Sequence, residues 1–228
     1  MGSQRFCLNY GRFYSNYGKR VFIVSSVSFI GLGAMTRAIA ARAVQGGNAV
    51  ELTGRDAAKA KDLAAALGGA TTGTFGTAPA GDIVILAVPY ASAVPVVAQY
   101  GDALAGKVII DITNTFNASA TGLVTPEGTS GAQEIAKAAP ASAHVVKAFN
   151  TVFGHVLAQG RPLDVLFAGD DARAKASVKA FIKSLGLRPL DTGDLAMAHW
   201  LEGAGLLLMG LARHGAGFDI DLRVNVSG

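Results

Sequence analysis

An α/β fold built on a doubly wound parallel sheet is predicted for this chain by three features. Strand-like and helix-like segments alternate from residue 27 to residue 190, the order that parallel strands joined by covering helices require. Residues 83–88 are continuously apolar, as a central strand buried on both faces must be. A glycine pair, Gly31 and Gly33, separates an apolar strand from an alanine-rich helix.

The elements follow in order. Residues 27–30 form the first strand, with residues 21–24 as a candidate strand before it. A helix over residues 34–45 is stopped by Gly46-Gly47. A second strand at 49–53 leads to a helix capped by Asp56 and ending at Leu67. Residues 68–81 are rich in Gly, Thr and Ala, with a weak strand near Thr74-Phe75. Pro89 ends the 83–88 strand, and the helix that follows reaches Tyr100, with Pro95 tolerated only in its first turn. Residues 108–112 are the next strand, and 114–129 a polar loop long enough to suggest a function. Ser130 and Gln133 resemble a capping box opening a helix to Ala139. Strands at 144–149 and 164–168, a helix over 171–185, a short strand at 188–190 and an apolar helix over 194–211 complete the pattern.

The sequence divides into a tail (1–20), a nucleotide-binding domain (21–190) and a C-terminal helical segment (191–228). The tail holds Arg5, Arg12, Lys19 and Arg20 and no acid, while the other 16 basic residues balance 16 acidic ones. The net charge of +4 thus belongs to the tail, and no basic face for nucleic acid is implied. The tail reads as a disordered or cloning-derived extension. Together with residues 21–35 it imitates a signal peptide, but the apolar run passes into an amphipathic helix without a cleavage site and is too short for a membrane span. A single cysteine, Cys7, excludes a disulfide framework, and the four histidines lack metal-ligand spacing. A cytoplasmic protein is expected, with no membrane partner. The apolar final helix, with Leu195, Leu201, Leu206, Leu207, Leu208 and Met209, has more apolar surface than one sheet face covers. A homodimer is therefore expected through it, with Trp200 and Met209 in core or interface.

Gly31-Leu32-Gly33-Ala34-Met35-Thr36 lies where a dinucleotide fingerprint must lie. The first glycine permits the turn, the second admits a pyrophosphate, and the helix N-terminus supplies N–H groups. Thr36 replaces the third glycine. The second strand ends in Thr53-Gly54-Arg55-Asp56, with Lys59 one turn on. Two cations in a first helical turn oppose the helix dipole unless an anion is bound there. Arg55, Lys59 and the Thr53 hydroxyl therefore suit the 2′-phosphate of NADP(H), against which stands Glu51 on the same face as Thr53.

Three more strand ends face the expected ligand crevice. Ala87-Val88-Pro89-Tyr90 offers an apolar rest for a nicotinamide, and Asn114 and Asn150 offer hydrogen bonds. Lys147, before Ala148 and Phe149, is a cation in an apolar strand; it either pairs with Asp111 or Asp191 or reaches a ligand. No Ser-His-Asp order, nucleophile elbow or close carboxylate pair is visible, so no protein group is assigned as catalytic. The chemistry is expected from bound coenzymes, as hydride transfer between two of them.

These segments occur in order with Phe29-Ile30-Gly31, Asp111-Ile112-Thr113-Asn114, Val145-Val146-Lys147-Ala148-Phe149-Asn150-Thr151, Ala168-Gly169-Asp170-Asp171 and Arg188-Pro189-Leu190-Asp191-Thr192-Gly193. The set resembles the NADPH-dependent reductases of the deazaflavin coenzyme F420 over about residues 26–215, and is also similar to the cytosolic domain of six-transmembrane epithelial ferric reductases. The resemblance implies a Rossmann-like domain with NADPH on residues 31–36 and Arg55 and Lys59 on its 2′-phosphate. It implies F420, FMN or FAD as the second coenzyme. Two departures stand out: Gly54 where the family has serine, and Thr115 where it has proline. The first removes a phosphate-binding hydroxyl, which Thr53 is expected to restore; the second is expected to free the 114–129 loop. The alternatives are a β-hydroxyacid dehydrogenase or pyrroline-carboxylate reductase, for which residues 194–228 are too few, and a non-catalytic NADP-binding subunit.

Overall fold

A computed structural model describes residues 13–17 and 20–225. Eight strands form one sheet in the order β10-β9-β8-β7-β6-β3-β4-β5. The central strands are β3 (Ser26–Ile30), β6 (Ile83–Leu86) and β7 (Val108–Asp111). β4 (Ala49–Thr53) and β5 (Ala70–Thr72) extend one side, and β8 (His144–Ala148), β9 (Asp164–Gly169) and β10 (Arg188–Asp191) the other. β5 replaces the weak strand expected at Thr74-Phe75. Val50 and Leu52 pair with Ala70 and Thr72, after which the chain turns away from the sheet.

Successive residues of each central strand feed opposite layers, as period-two alternation dictates. Phe29, Ile85 and Ile110 lie in one core with Ile39, Phe167 and Phe181; Ile30, Leu86 and Ile109 lie in the other with Val97, Leu104 and Ile135. Helices α1 (Ala34–Gln45), α2 (Ala57–Leu67) and α6 (Ala172–Ser184) contribute to the first layer, α3 (Tyr90–Tyr100) and α4 (Gly131–Ala138) to the second. The two expected caps form, Asp56 accepting from Lys59 N and Ser130 from Gln133 N, and the structure adds a third at Asp171, which accepts from Ala174 N.

Three expectations need correction. β9 runs antiparallel to β8, so the sheet is not wholly parallel, and β10 follows β9 in parallel. The short helix α5 (Gly154–Ala158) precedes this reversal. Pro95 lies inside α3 rather than in its first turn. The cost is the missing bond to the Ala91 carbonyl, tolerable because Ala91 is exposed. Within the tail, Phe13–Tyr17 (β1) pairs with Arg20–Val24 (β2) as an antiparallel hairpin, a pairing that sequence periodicity did not suggest. The rest of the tail lies outside the described residues.

Leu195–Ala216 is, among the described residues, the one helical run long and apolar enough to cross a membrane by length and composition. Its main helix, α7 (Ala198–Leu211), nevertheless buries Leu201, Glu202, Gly205 and Leu208 against the domain. Trp200 and Leu207 are left 67% and 72% exposed, so Trp200 is not a core residue.

Candidate functional site: a nucleotide cleft at the sheet switch point

The chain leaves β3 for β4 and β5, then returns to β6 on the other side of β3. Such a reversal opens a crevice beyond the carboxyl ends of the two strands. A cleft of about 460 Å³ lies there, lined by Gly31, Leu32 and Gly33 after β3 and by Ala87, Val88 and Pro89 after β6. Gly54, Arg55 and Lys59 line it from the β4–α2 junction. These nine residues come from three segments that the sequence reading had singled out separately.

The two glycines differ in their reasons. Gly31 has φ +118°, and a Cβ there would lie 2.1 Å from the Ala87 carbonyl oxygen. The turn itself requires glycine at this position. Gly33 caps α1 at φ −84° and ψ −174°, a conformation any residue adopts. A Cβ on it would meet nothing within 4 Å among the described residues. Its missing side chain therefore leaves open space at a helix N-terminus with no acidic residue in its first turn. That space and those N–H groups fit a pyrophosphate. Thr36 replaces the third glycine without loss, because its buried hydroxyl donates to the Gly31 carbonyl at 2.8 Å.

At the β4 end, Arg55 and Lys59 face the cleft as expected. Glu51 does not compete with them. Its carboxylate accepts from Ser28 Oγ at 2.5 Å and from Ala80 N at 3.0 Å. Thr53 is a correction: its hydroxyl donates to the Phe29 carbonyl at 2.8 Å, and the residue is buried. It does not replace the missing serine hydroxyl. The three atoms nearest a Cβ at Gly54 would all belong to the Leu32 side chain, with Cδ1 at 2.6 Å, so a serine there would require that side chain to shift.

The sequence reading missed one wall. Ala91, Ser92, Pro95, Val96 and Gln99 line the cleft from α3, with Phe75 nearby. Their spacing follows one helical face, the signal that could have found them.

The remaining candidates lie elsewhere. Lys147 is fully buried and donates to Asp111 Oδ2 at 2.8 Å, Glu202 Oε1 at 2.8 Å and the Thr113 carbonyl at 2.6 Å. All three ammonium protons are used, which corrects its assignment to a ligand. Asp191 pairs instead with Lys175. Ala148 and Phe149 are fully buried and present no surface to a cofactor. Phe149 holds φ +61°, rare for a bulky residue, and turns the chain into Asn150. Asn150 and Asn114 clasp each other: Asn150 Nδ2 donates to Asn114 Oδ1 at 3.0 Å, and Asn114 Nδ2 to the Asn150 carbonyl at 2.9 Å. Ala34 is exposed and Met35 half-buried against Gly154.

The 114–129 loop is not freed at its start. Buried Thr115 donates to Glu202 Oε2 at 2.7 Å, a bond that a proline could not make. Glu202 also accepts from Gly131 N at the start of α4. Asp111 and Glu202 thus share one lysine, a carboxylate pair invisible in sequence because 91 residues separate its members. Tyr90 donates to Glu134 Oε2 at 2.6 Å, and burial followed by that bond pushes its hydroxyl up to about 12.

Residues 26–115 match the model of a family described as NADP oxidoreductase coenzyme F420-dependent. The chain is 30% identical over 187 residues to the metalloreductase STEAP3 of Rattus norvegicus, covering 80% of this chain and 37% of that protein. It is 31% identical over 139 residues to the F420-dependent NADP reductase of Methanocaldococcus jannaschii, covering 58% of this chain and 62% of that one. The chain thus spans less than two thirds of either relative. A solved structure from Arthrobacter sp. FB24, assigned as an F420-dependent NADP-reductase, superposes with a TM-score of 0.78 at 24% identity, covering 88% of this chain and 99% of that one. Residues 26–115 are thus similar to the coenzyme F420-dependent NADP oxidoreductase family, and the chain shares the fold of the Arthrobacter structure.

Proposed function

We propose that the protein transfers a hydride between NADP(H) and a deazaflavin, coenzyme F420, or a flavin-type acceptor (FMN or FAD). The observation that carries this reading is the unfilled space over Gly33 in a cleft that also presents Arg55 and Lys59. The residues fit the cofactor by their own chemistry. Gly33 and the α1 N-terminus receive the pyrophosphate, Arg55 and Lys59 take the 2′-phosphate, and Val88 and Pro89 give the nicotinamide an apolar wall. NADPH, when bound, supplies the hydride. The chain's residues bring two rings into contact and exclude water, which supplies much of the rate in such a transfer. None of the described cleft-lining side chains is assigned as a general acid, so any proton the product needs would come from water.

The protein acts in this reading as a cytoplasmic homodimer joined through α7, where Trp200, Leu207 and Leu211 stand exposed. The test is a panel of NADPH and NADH against F420, FMN, FAD and ferric chelates. Turnover of F420 or a flavin with preference for NADPH is expected. Stoichiometric NADPH binding without turnover of any acceptor would instead make the chain a nucleotide-binding subunit.

A further inference from the structure

The cluster around Lys147 has a charge that its structural role does not explain. Asp111 accepts from Lys147 at Oδ2 and from Thr113 N at Oδ1; Glu202 accepts from Lys147, Thr115 Oγ1 and Gly131 N. Lys147 Nζ, Thr113 N and Gly131 N can only donate, so both carboxylates act as acceptors in those bonds. Two anions thus share one buried cation. The N-terminus of α4 offsets about half a charge at Glu202. Glu134, in the first turn of α4, adds a third carboxylate through its bond with Tyr90.

This excess lies against the ring wall of the cleft. Asp111 pairs in register with Leu86, the residue before cleft-lining Ala87. Tyr90 directly follows cleft-lining Pro89, and its ring packs over Gly131. After burial and its hydrogen bond to Glu134, the carboxylates of Glu134, Glu202 and Asp111 each push the Tyr90 hydroxyl further up, so all three lie within electrostatic reach of the end of β6. NADP+ carries one more positive charge on its nicotinamide ring than NADPH does. Fixed charges beside a reacting group act without reorganisation.

We propose that Asp111, Glu134 and Glu202, with Lys147 as their one shared cation, make the ring wall of the cleft select the oxidised nicotinamide, so that bound NADPH is biased toward giving up its hydride. This inference rests on the cofactor reading above and assigns the three carboxylates an electrostatic role rather than a contact.

The test is direct titration of NADP+ and of NADPH into the wild-type protein and three variants. Glu134→Gln keeps an acceptor for the Tyr90 hydroxyl and removes one charge. One charge acting over about 10 Å through an effective dielectric of about 20–40 changes an equilibrium by about four- to fifteenfold, and partial exposure of Glu134 favours the lower end. NADP+ should therefore weaken about fourfold in Glu134→Gln, with NADPH changed less than about twofold. Glu134→Lys, a change of two charges, should enlarge the shift in the same direction. Tyr90→Phe removes the hydroxyl and no charge, so it should leave the ratio of the two dissociation constants as in wild type. A ratio unmoved by both Glu134 variants, or moved equally by Tyr90→Phe, overturns the inference. If the wild type binds neither nucleotide, the cofactor reading falls and this inference falls with it.

Discussion

Replacing Gly33 with valine separates a glycine needed by the fold from one needed by a ligand. At φ −84° and ψ −174° valine is unstrained, and its Cβ would meet no atom of the described residues within 4 Å. Replacing glycine by valine at an N-cap costs about 1 kcal/mol, and restricting the unfolded chain returns about 0.4–1 kcal/mol. Folding stability should therefore change by less than about 1 kcal/mol. The bound state should suffer far more. Valine keeps a pyrophosphate away from the backbone N–H groups of α1, and each charge-assisted bond lost weakens binding by about 1.5–3 kcal/mol. Losing two bonds predicts about 10²- to 10⁴-fold weaker NADPH. The assay pairs urea unfolding with calorimetric titration of NADPH. Gly31→Ala is the contrast: φ +118° and a 2.1 Å clash with Ala87 oxygen should damage the fold itself. A Gly33→Val protein that binds NADPH like the wild type would refute the pyrophosphate assignment.

Other outcomes follow from the same geometry. Arg55→Glu with Lys59→Glu should weaken NADPH far more than NADH, and equal weakening would remove the 2′-phosphate assignment. Replacing Asn114 or Asn150 with alanine should slow single-turnover transfer at saturating NADPH by less than the roughly 10²-fold typical of a true acid or base; abolished transfer with binding intact would show that the protein supplies that chemistry. Light scattering at micromolar concentration should give a dimer for the wild type and a monomer for Leu207→Glu, and a monomeric wild type would end the α7 interface. Asp164 is held below its ordinary value by the Arg188 hydrogen bond. Its stabilisation is therefore present above about pH 4 and lost as pH falls through the folded value. The gap in urea midpoint between wild type and Asp164→Asn should narrow as pH drops below about 4, and a constant gap would exclude the carboxylate as its source.

What could be read from sequence was what depends on neighbours along the chain. The apolar runs of β3, β6 and β7, the Asp56 and Ser130 caps and the Gly31 turn each follow from a few adjacent residues. What was missed depends on distant ones. The pairing of Ser28 and Ala80 with Glu51, and of Phe29 with Thr53, took both β4 side chains out of the nucleotide question. Glu202 reaches Lys147 and Thr115 from a helix that sequence marked only as apolar. The reversal of β9 left no trace, because an apolar strand reads alike in either direction. The α3 wall was legible in principle from the spacing of Ala91, Pro95 and Gln99, yet helical periodicity there points equally to core packing.

The central claim is that NADPH bound in this cleft gives its hydride directly to a second ring. NADPH deuterated at C4 on either face can be mixed with F420 and the protein in a single turnover. The reading predicts that one of the two labelled forms delivers its deuterium to a ring carbon of the reduced deazaflavin. Deuterium released to water from both forms, or NADPH bound with no reduction of F420 or of any flavin, would contradict it.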